Sequence, residues 1–404
     1  MSIRPTELIA WGCLAFSVLG ASQTSGLDVA EPLPKDEYLP PSIQERSLVT
    51  GLLEIRRGRL DTAMTNLASL VKEQPDFRLA KLVYADLLMV KAGRFHGFGN
   101  GGPRELVSDL RHEAQVRLQR YMETPPPASM PSNIIRLPED IEAALVFDVD
   151  GHRLYIVGQQ QGSLVRSDDF YTSIGKGGIE KQVEGDEKTP LGVYHVASYR
   201  SANSLPDLYG AGAFPISYPN NWDRQMGRTG SGIWIHGTES NTFSRPPLSS
   251  RGCLTLSNQD FVELREDVRV GRTPVIVSSG LQWSSSEELE NARLSITSAL
   301  ESWRLDWESL DTERYLSHYS RTFRSRSSRF PQFAAHKRRV NRSKTFVQVD
   351  LSQVGIYRYP GEEETILVEF LQDYKSSNLN AQRRKHQYWR QEEGVWKIIF
   401  EGGA

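Results

Sequence analysis

Hydrophobic positions change their spacing twice along the chain. Between residues 43 and 122 they recur with helical period: Ala63, Leu67 and Leu70 share a face, the run breaks at Gln74 and Pro75, and Leu79, Leu82, Val83, Leu87 and Leu88 resume it. The spacing predicts an α-helical N-terminal region over 25–123. One helix pair cannot bury its own apolar face, so these helices are expected to pack on a second copy of the chain, as a homodimer, or on the next domain. "TPPPASMPSN" then predicts a stiff, proline-rich linker over 124–137. From Glu142 the period shortens. "AALVFDVDGHRLYIVGQQ" is two apolar runs around Asp150 and Gly151, a hairpin signature, and "LGVYHVASY", "SGIWIHG" and "TPVIVSS" continue the strand-rich character. A mostly β domain, sandwich or barrel-like, is expected over 138–280. Beyond it a helix with Leu300, Trp303 and Trp307 on one face precedes three strand-like runs, which predicts an α+β domain over 285–404.

The chain is therefore expected to be multidomain, and its N terminus adds a targeting signal. "LIAWGCLAFSVLGA" follows Arg4 and precedes Gly20, Ala21 and Ser22, the pattern of a secretory signal peptide over 1–24. The run is shorter than the roughly 20 apolar residues a membrane span needs, so an exported chain with no stable span after cleavage is expected, with a retained short membrane anchor as the alternative. Basic and acidic residues balance at 48 against 50, which gives no global attraction to nucleic acid. Only two cysteines occur, Cys13 and Cys253. Cleavage would leave Cys253 alone, without a disulfide partner, and a lone thiol in an oxidising compartment is a liability unless its chemistry is used.

Cys253 closes an irregular segment that opens on a histidine, "HGTESNTFSRPPLSSRGC", residues 236–253. A thiol becomes a useful nucleophile at neutral pH when a neighbour such as an imidazole lowers its pKa, and His236, at the end of an expected strand, is the candidate. Gly252 allows a tight turn that would leave the Gly252 and Cys253 N–H groups pointing at one spot, an oxyanion hole suited to acyl transfer. A zinc site needs three or four ligands, and only His152 and His195 lie nearby in sequence; no metal or cofactor is expected.

Four ordered blocks carry a resemblance. "GDEKTPLGVYHV" (185–196), "YPNNWDRQMGRTGSGIWIHGT" (218–238), "SSRGCLTLSNQDF" (249–261) and "VRVGRTPVIV" (268–277) closely resemble the L,D-transpeptidase (YkuD-type) catalytic domain of cell-wall enzymes. The resemblance implies Cys253 as nucleophile, His236 as base, the Gly237 carbonyl orienting the imidazole, and the Gly252 and Cys253 amides holding the oxyanion. It implies peptidoglycan stem peptides as substrate, with Tyr218, Ser250, Arg251 and Thr255 on the substrate side, and a periplasmic location. Helices before this domain and a cone-shaped domain resembling nuclear transport factor after it are similar to the cell-shape L,D-carboxypeptidases, in which water resolves the thioester. The helices themselves resemble a degenerate tetratricopeptide unit, with a plain bundle as the alternative.

Two positions depart from the family pattern. Arg251 stands where most members have a second histidine, and Thr255 where they have an arginine. Arg251 is a candidate to grip a substrate carboxylate; pairing with a local acid such as Asp260 is the alternative reading. One further run, Arg321 to Lys344, holds nine Lys and Arg residues and no acid. It reads either as a docking patch for an anionic polymer or as a solvated face.

Overall fold

The computed structural model describes residues 42–123, 125–362 and 364–403. The expected signal peptide lies outside the described residues.

Four helices, Ile43–Arg56, Leu60–Glu73, Arg78–Lys91 and Arg104–Met122, form the N-terminal region. Ser42 caps the first of them by accepting the Glu45 N–H at 3.4 Å. Ala63, Leu67, Leu70, Leu79, Val83 and Leu87 are buried together, whereas Leu88 is exposed. The apolar face expected to seek a second copy is covered within the chain. Phe243, from the segment between His236 and Cys253, inserts into this core with its ring 4.4 Å from that of Phe77.

A buried ion-pair cluster completes the junction. Arg117 meets Glu45 at 3.0 Å and Glu113 at 2.9 Å, Arg153 meets Glu45 at 2.6 Å, and Arg120 meets Asp169 at 2.6 Å. Arg153 also pairs with Asp169. Glu45 and Glu113 come from the helices, Arg153 and Asp169 from the adjoining sheet, so the cluster bridges the two regions.

The central domain has a five-stranded sheet in the order 163–171, 153–160, 143–148, 274–278, 192–195, with 274–278 parallel to 143–148. The hairpin read from Asp150 and Gly151 is present as antiparallel pairing of Ala143–Asp148 with Arg153–Gln160. A four-stranded sheet carries Leu254–Thr255, Trp234–His236, Gly212–Pro215 and Arg200–Ser201. Leu145, Phe147, Tyr194, Phe214, Ile235 and Leu254 lie in the core shared by the two.

The C-terminal region is a long helix, Ser286–Glu308, against a six-stranded sheet. Ser285 and Glu288 form a reciprocal capping box at its start, and Leu300, Trp303 and Trp307 are buried. The sixth strand comes from the expected linker. Ile134–Arg136 pairs with Val347–Arg358, and Met130–Pro131 pairs with Trp283–Ser284. The described part of this segment, 125–137, is therefore woven into the fold rather than spanning open space, because Ile134 and Ile135 bury their side chains.

Candidate active site

His236 ends a strand held on both sides, parallel to Leu254–Thr255 and antiparallel to Gly212–Pro215. In the parallel pairing Ile235 lies opposite Leu254 and His236 opposite Thr255, so Cys253 enters the strand that flanks the histidine. Two residues 17 positions apart thus share one rigid edge.

The imidazole is buried and its Nδ1 lies 2.6 Å from the Gly237 carbonyl oxygen. That carbonyl can only accept, so Nδ1 carries the proton and Nε2 is left with its lone pair. Thr255 Oγ1 stands 3.5 Å from Nε2, and the Tyr209 ring abuts the imidazole edge-on at 5.0 Å. Burial pushes the His236 pKa down to about 4, against the opposing pull of the Gly237 carbonyl.

Cys253 is half-buried, with its Sγ 3.6 Å from the Gly232 carbonyl oxygen. Burial pushes its thiol up, outweighing the Trp234 backbone, Arg245 and Lys181, which favour the thiolate. The expected lowering of the thiol pKa by an imidazole is not what the structure presents. The resting pair is a neutral thiol and a neutral imidazole.

The Gly252 N–H is the second departure. It donates to Ser250 Oγ at 3.1 Å, while the same hydroxyl donates to the Cys253 carbonyl at 2.7 Å. Ser250 therefore clamps the turn and occupies one of the two amides expected to face an oxyanion. The Cys253 N–H makes no hydrogen bond among the described residues and remains available. Glycine is required at 252: its φ is +112°, and a Cβ there would lie 2.6 Å from the Lys188 carbonyl oxygen.

The residues expected on the substrate side divide. Arg251 is 90 % exposed and touches only Glu187, at 4.0 Å; Asp260, the alternative partner, is buried elsewhere. Tyr218 belongs to the core, its hydroxyl donating to the Thr229 carbonyl at 2.9 Å, which corrects the expectation that it faces substrate. Ser250 and Thr255 are likewise buried, one shaping the turn and the other against the imidazole. Sequence reasoning missed Asn258 and Thr189. Asn258 Oδ1 accepts from the Ala211 N–H at 2.8 Å and the Thr238 N–H at 3.1 Å, and Thr189 Oγ1 donates to the Gly252 carbonyl at 3.1 Å. Both stand in the motif blocks quoted above, but their role is to join loops distant in sequence. Among the described residues no group of three or more His, Cys, Asp or Glu side chains is arranged to hold a metal ion.

Residues 142–277 match the L,D-transpeptidase catalytic domain, and residues 295–402 match the Cds6 C-terminal NTF2-like domain. The chain carries an L,D-transpeptidase domain followed by an NTF2-like domain. Two solved structures are similar over most of their own length. Bd1075 of Bdellovibrio bacteriovorus is 26% identical with a TM-score of 0.59, the match covering 68% of this chain and 99% of that one. The helical cell shape determining protein Pgp2 of Campylobacter jejuni is 26% identical with a TM-score of 0.58, covering 67% and 95%. No curated protein matches the chain. In the NTF2-like domain the basic run is neither a uniform patch nor wholly solvated. Arg338 pairs with Glu313 at 2.7 Å, while Lys337 turns inward over the Trp307 ring at 4.6 Å.

Proposed function

We propose that the L,D-transpeptidase domain is an L,D-carboxypeptidase of peptidoglycan stem peptides, acting in the periplasm after removal of the signal peptide and serving cell shape. The observation that carries this reading is His236 fixed by the Gly237 carbonyl, its Nε2 unprotonated, on the strand that pairs with the one Cys253 enters.

The chemistry follows from the protonation states. Sγ of Cys253 bonds to the carbonyl carbon of the L-linked third residue as its proton passes to His236 Nε2. The oxyanion takes the Cys253 N–H, the amide left free by the Ser250 clamp. Collapse of the intermediate breaks the C–N bond, and the His236 proton goes to the departing D-alanine amine. Water then attacks the thioester, giving its proton to His236, and the tripeptide leaves with a new carboxylate as the thiol is restored. Because the thiol is neutral at rest, proton transfer accompanies attack rather than preceding it. Water is favoured over an acceptor amine because Thr255, buried against the imidazole, offers no guanidinium to hold a second stem. Exposed Arg251 favours a second reading, transpeptidation, in which it grips the acceptor's carboxylate.

Mass spectrometry of a tetrapeptide muropeptide incubated with the purified protein separates the two. Tripeptide and free D-alanine are expected as the main products, abolished by Cys253→Ala and nearly so by His236→Ala. Predominant 3–3 linked dimers would establish transfer, and undiminished product from Cys253→Ala would sink the thioester route.

A further inference from the structure

The L,D-transpeptidase and NTF2-like domains enclose a cavity of about 370 Å³. None of its lining residues belongs to the turn that carries Cys253 or to the strand that ends in His236. Its walls come from both domains. Arg224, Arg272 and His195 belong to the first; Tyr357, Glu369, Arg384 and His386 belong to the second.

Charge and hydrogen bonding in this cavity are left incomplete. Glu369 is the only carboxylate in the lining, and it is already engaged, by His195 Nε2 at 3.1 Å and His386 Nε2 at 3.4 Å. Although burial pushes its pKa up, the two facing histidines hold it down at about 2. The guanidiniums have no such satisfaction. Arg224 is exposed and makes no ion pair among the described residues. Arg272 gives one amino group to Asp140 at 2.5 Å, Arg384 gives one to Gln353, and neither makes a further hydrogen bond among the described residues. The Tyr357 hydroxyl, fully buried, has no hydrogen-bond partner among the described residues. A ligand oxygen that accepts from it would supply the missing partner.

We propose that this seam is an anion-binding site, in which a carboxylate or phosphate group of a small ligand accepts from Arg224, Arg272, Arg384 and the Tyr357 hydroxyl. Guanidinium forks match the paired oxygens of either group, and the volume suits a small molecule rather than a polymer. The occupant ties the two domains together, since its donors come from both. The site is independent of the thioester reading: it stands or falls whether or not Cys253 turns over substrate.

Calorimetric titration and thermal unfolding of the full-length protein, with inorganic phosphate in one arm, succinate in another and chloride at matched ionic strength as control, test the site. Saturable binding of phosphate or succinate, with a rise in Tm that chloride does not give, is expected, and the stronger arm names the group. Arg224→Gln and Arg384→Gln should each weaken that binding at least tenfold, and Tyr357→Phe severalfold. Arg224 is exposed and Tyr357→Phe conserves shape, so both variants remain readable should Arg384→Gln unfold. Lys337→Gln, inside the cone of the NTF2-like domain, should leave the affinity unchanged. The proposal is overturned by absence of saturable binding in both arms, by wild-type affinity in Arg224→Gln and Tyr357→Phe, or by loss of binding in Lys337→Gln instead.

Discussion

The L,D-transpeptidase domain meets its two neighbours through surfaces that are built differently. Toward the helices it presents charge: Arg153 and Asp169 complete a buried cluster with Glu45, Glu113, Arg117 and Arg120. Toward the NTF2-like domain it presents an aromatic plate. Trp222 stacks on Tyr388 at 4.8 Å, with Phe400 at 6.1 Å, and its indole N–H donates to Glu362 at 3.0 Å. The charged junction also reaches the proposed catalytic segment directly. Ser244 Oγ donates to Glu113 at 2.7 Å and the Phe243 N–H donates to the Asp76 carbonyl at 3.3 Å, so the helices hold the middle of the segment whose ends are His236 and Cys253. The aromatic junction makes no such link through Trp222. One neighbour therefore braces the proposed catalytic segment, while the other is fastened through Trp222, which lies outside that segment.

The largest effect should come from breaking the charged junction. Arg117→Ala leaves Glu45 and Glu113 buried beside fewer cations, and removing one partner of a buried ion pair costs about 3–5 kcal/mol. Urea denaturation should show that loss, with D-alanine release falling as well.

A cleaner contrast follows from two aromatic truncations. Phe243→Ala and Trp222→Ala should each cost about 3 kcal/mol or more in stability. They should part in activity. Releasing the segment between His236 and Cys253 should lower kcat tenfold or more, since small misplacements of reacting groups are expensive, whereas Trp222→Ala should leave kcat within about twofold. Equal kcat losses in protein that remains folded would dissolve the distinction between bracing and fastening.

The difference between these junctions also marks what was legible in the sequence. His236, Gly237 and Cys253 could be read because they sit in compact motifs whose chemistry depends on residue type and local backbone. The brace could not. Phe243 stands among serines, threonines and prolines, and nothing local says that its ring will enter a core built by helices more than 120 residues earlier. The proline-rich segment looked like a spacer because strand pairing is non-local: the partners of Ile134–Arg136 lie in Val347–Arg358. Gly252 was read as a free donor because the competing acceptor is a side chain, Ser250, whose rotamer the sequence does not give. The thiol's direction of shift failed for a similar reason, since burial outweighs the charges around Cys253.

Acid should loosen both junctions, each through its own buried histidine. His152, buried beside His112 of the Arg104–Met122 helix, has its pKa pushed down to about 4 by burial and by His112. An unfolded histidine titrates near 6.5, so the unfolded state binds more protons between about 6.5 and 4. Stability from His152 is complete above pH 6.5 and falls as pH drops through that window, by up to about 3 kcal/mol. At the other junction Glu369, held down at about 2, contributes stability above the ordinary carboxylate range that is lost only as pH falls toward 2. Burial also pushes His386, beside Glu369, below its ordinary range, so amide hydrogen exchange at pH 4.5 should show both junctions loosening, the helices through His152. His152→Phe should remove much of the first effect.

The smallest expected effect concerns a carboxyl group left over in the charged junction. Arg117, Arg120 and Arg153 are already paired with Glu45, Glu113 and Asp169, and Asp260, fully enclosed, has an Oδ1 without a hydrogen-bond partner among the described residues. Burial, and then the negative charge of Glu45, push its pKa up to about 7. Below pH 4 Asp260 is protonated in both folded and unfolded chains and contributes no pH dependence. As pH rises from about 4 toward 7 the unfolded chain releases this proton while the folded one retains it, so the ionisable side chain becomes progressively destabilising. Asparagine keeps the shape and removes the charge, but it introduces amide hydrogens that also need acceptors, which offsets part of the gain. Asp260→Asn should thus fall below the wild type in stability near pH 4, where only the cost of its amide hydrogens acts, and exceed it by about 1 kcal/mol at pH 8, read from urea midpoints at the two pH values. A gain of the same size at both would mean that the carboxyl is not the cluster's uncompensated charge, and the account of this junction as a nearly neutral set of matched pairs with one protonated acid would have to be withdrawn.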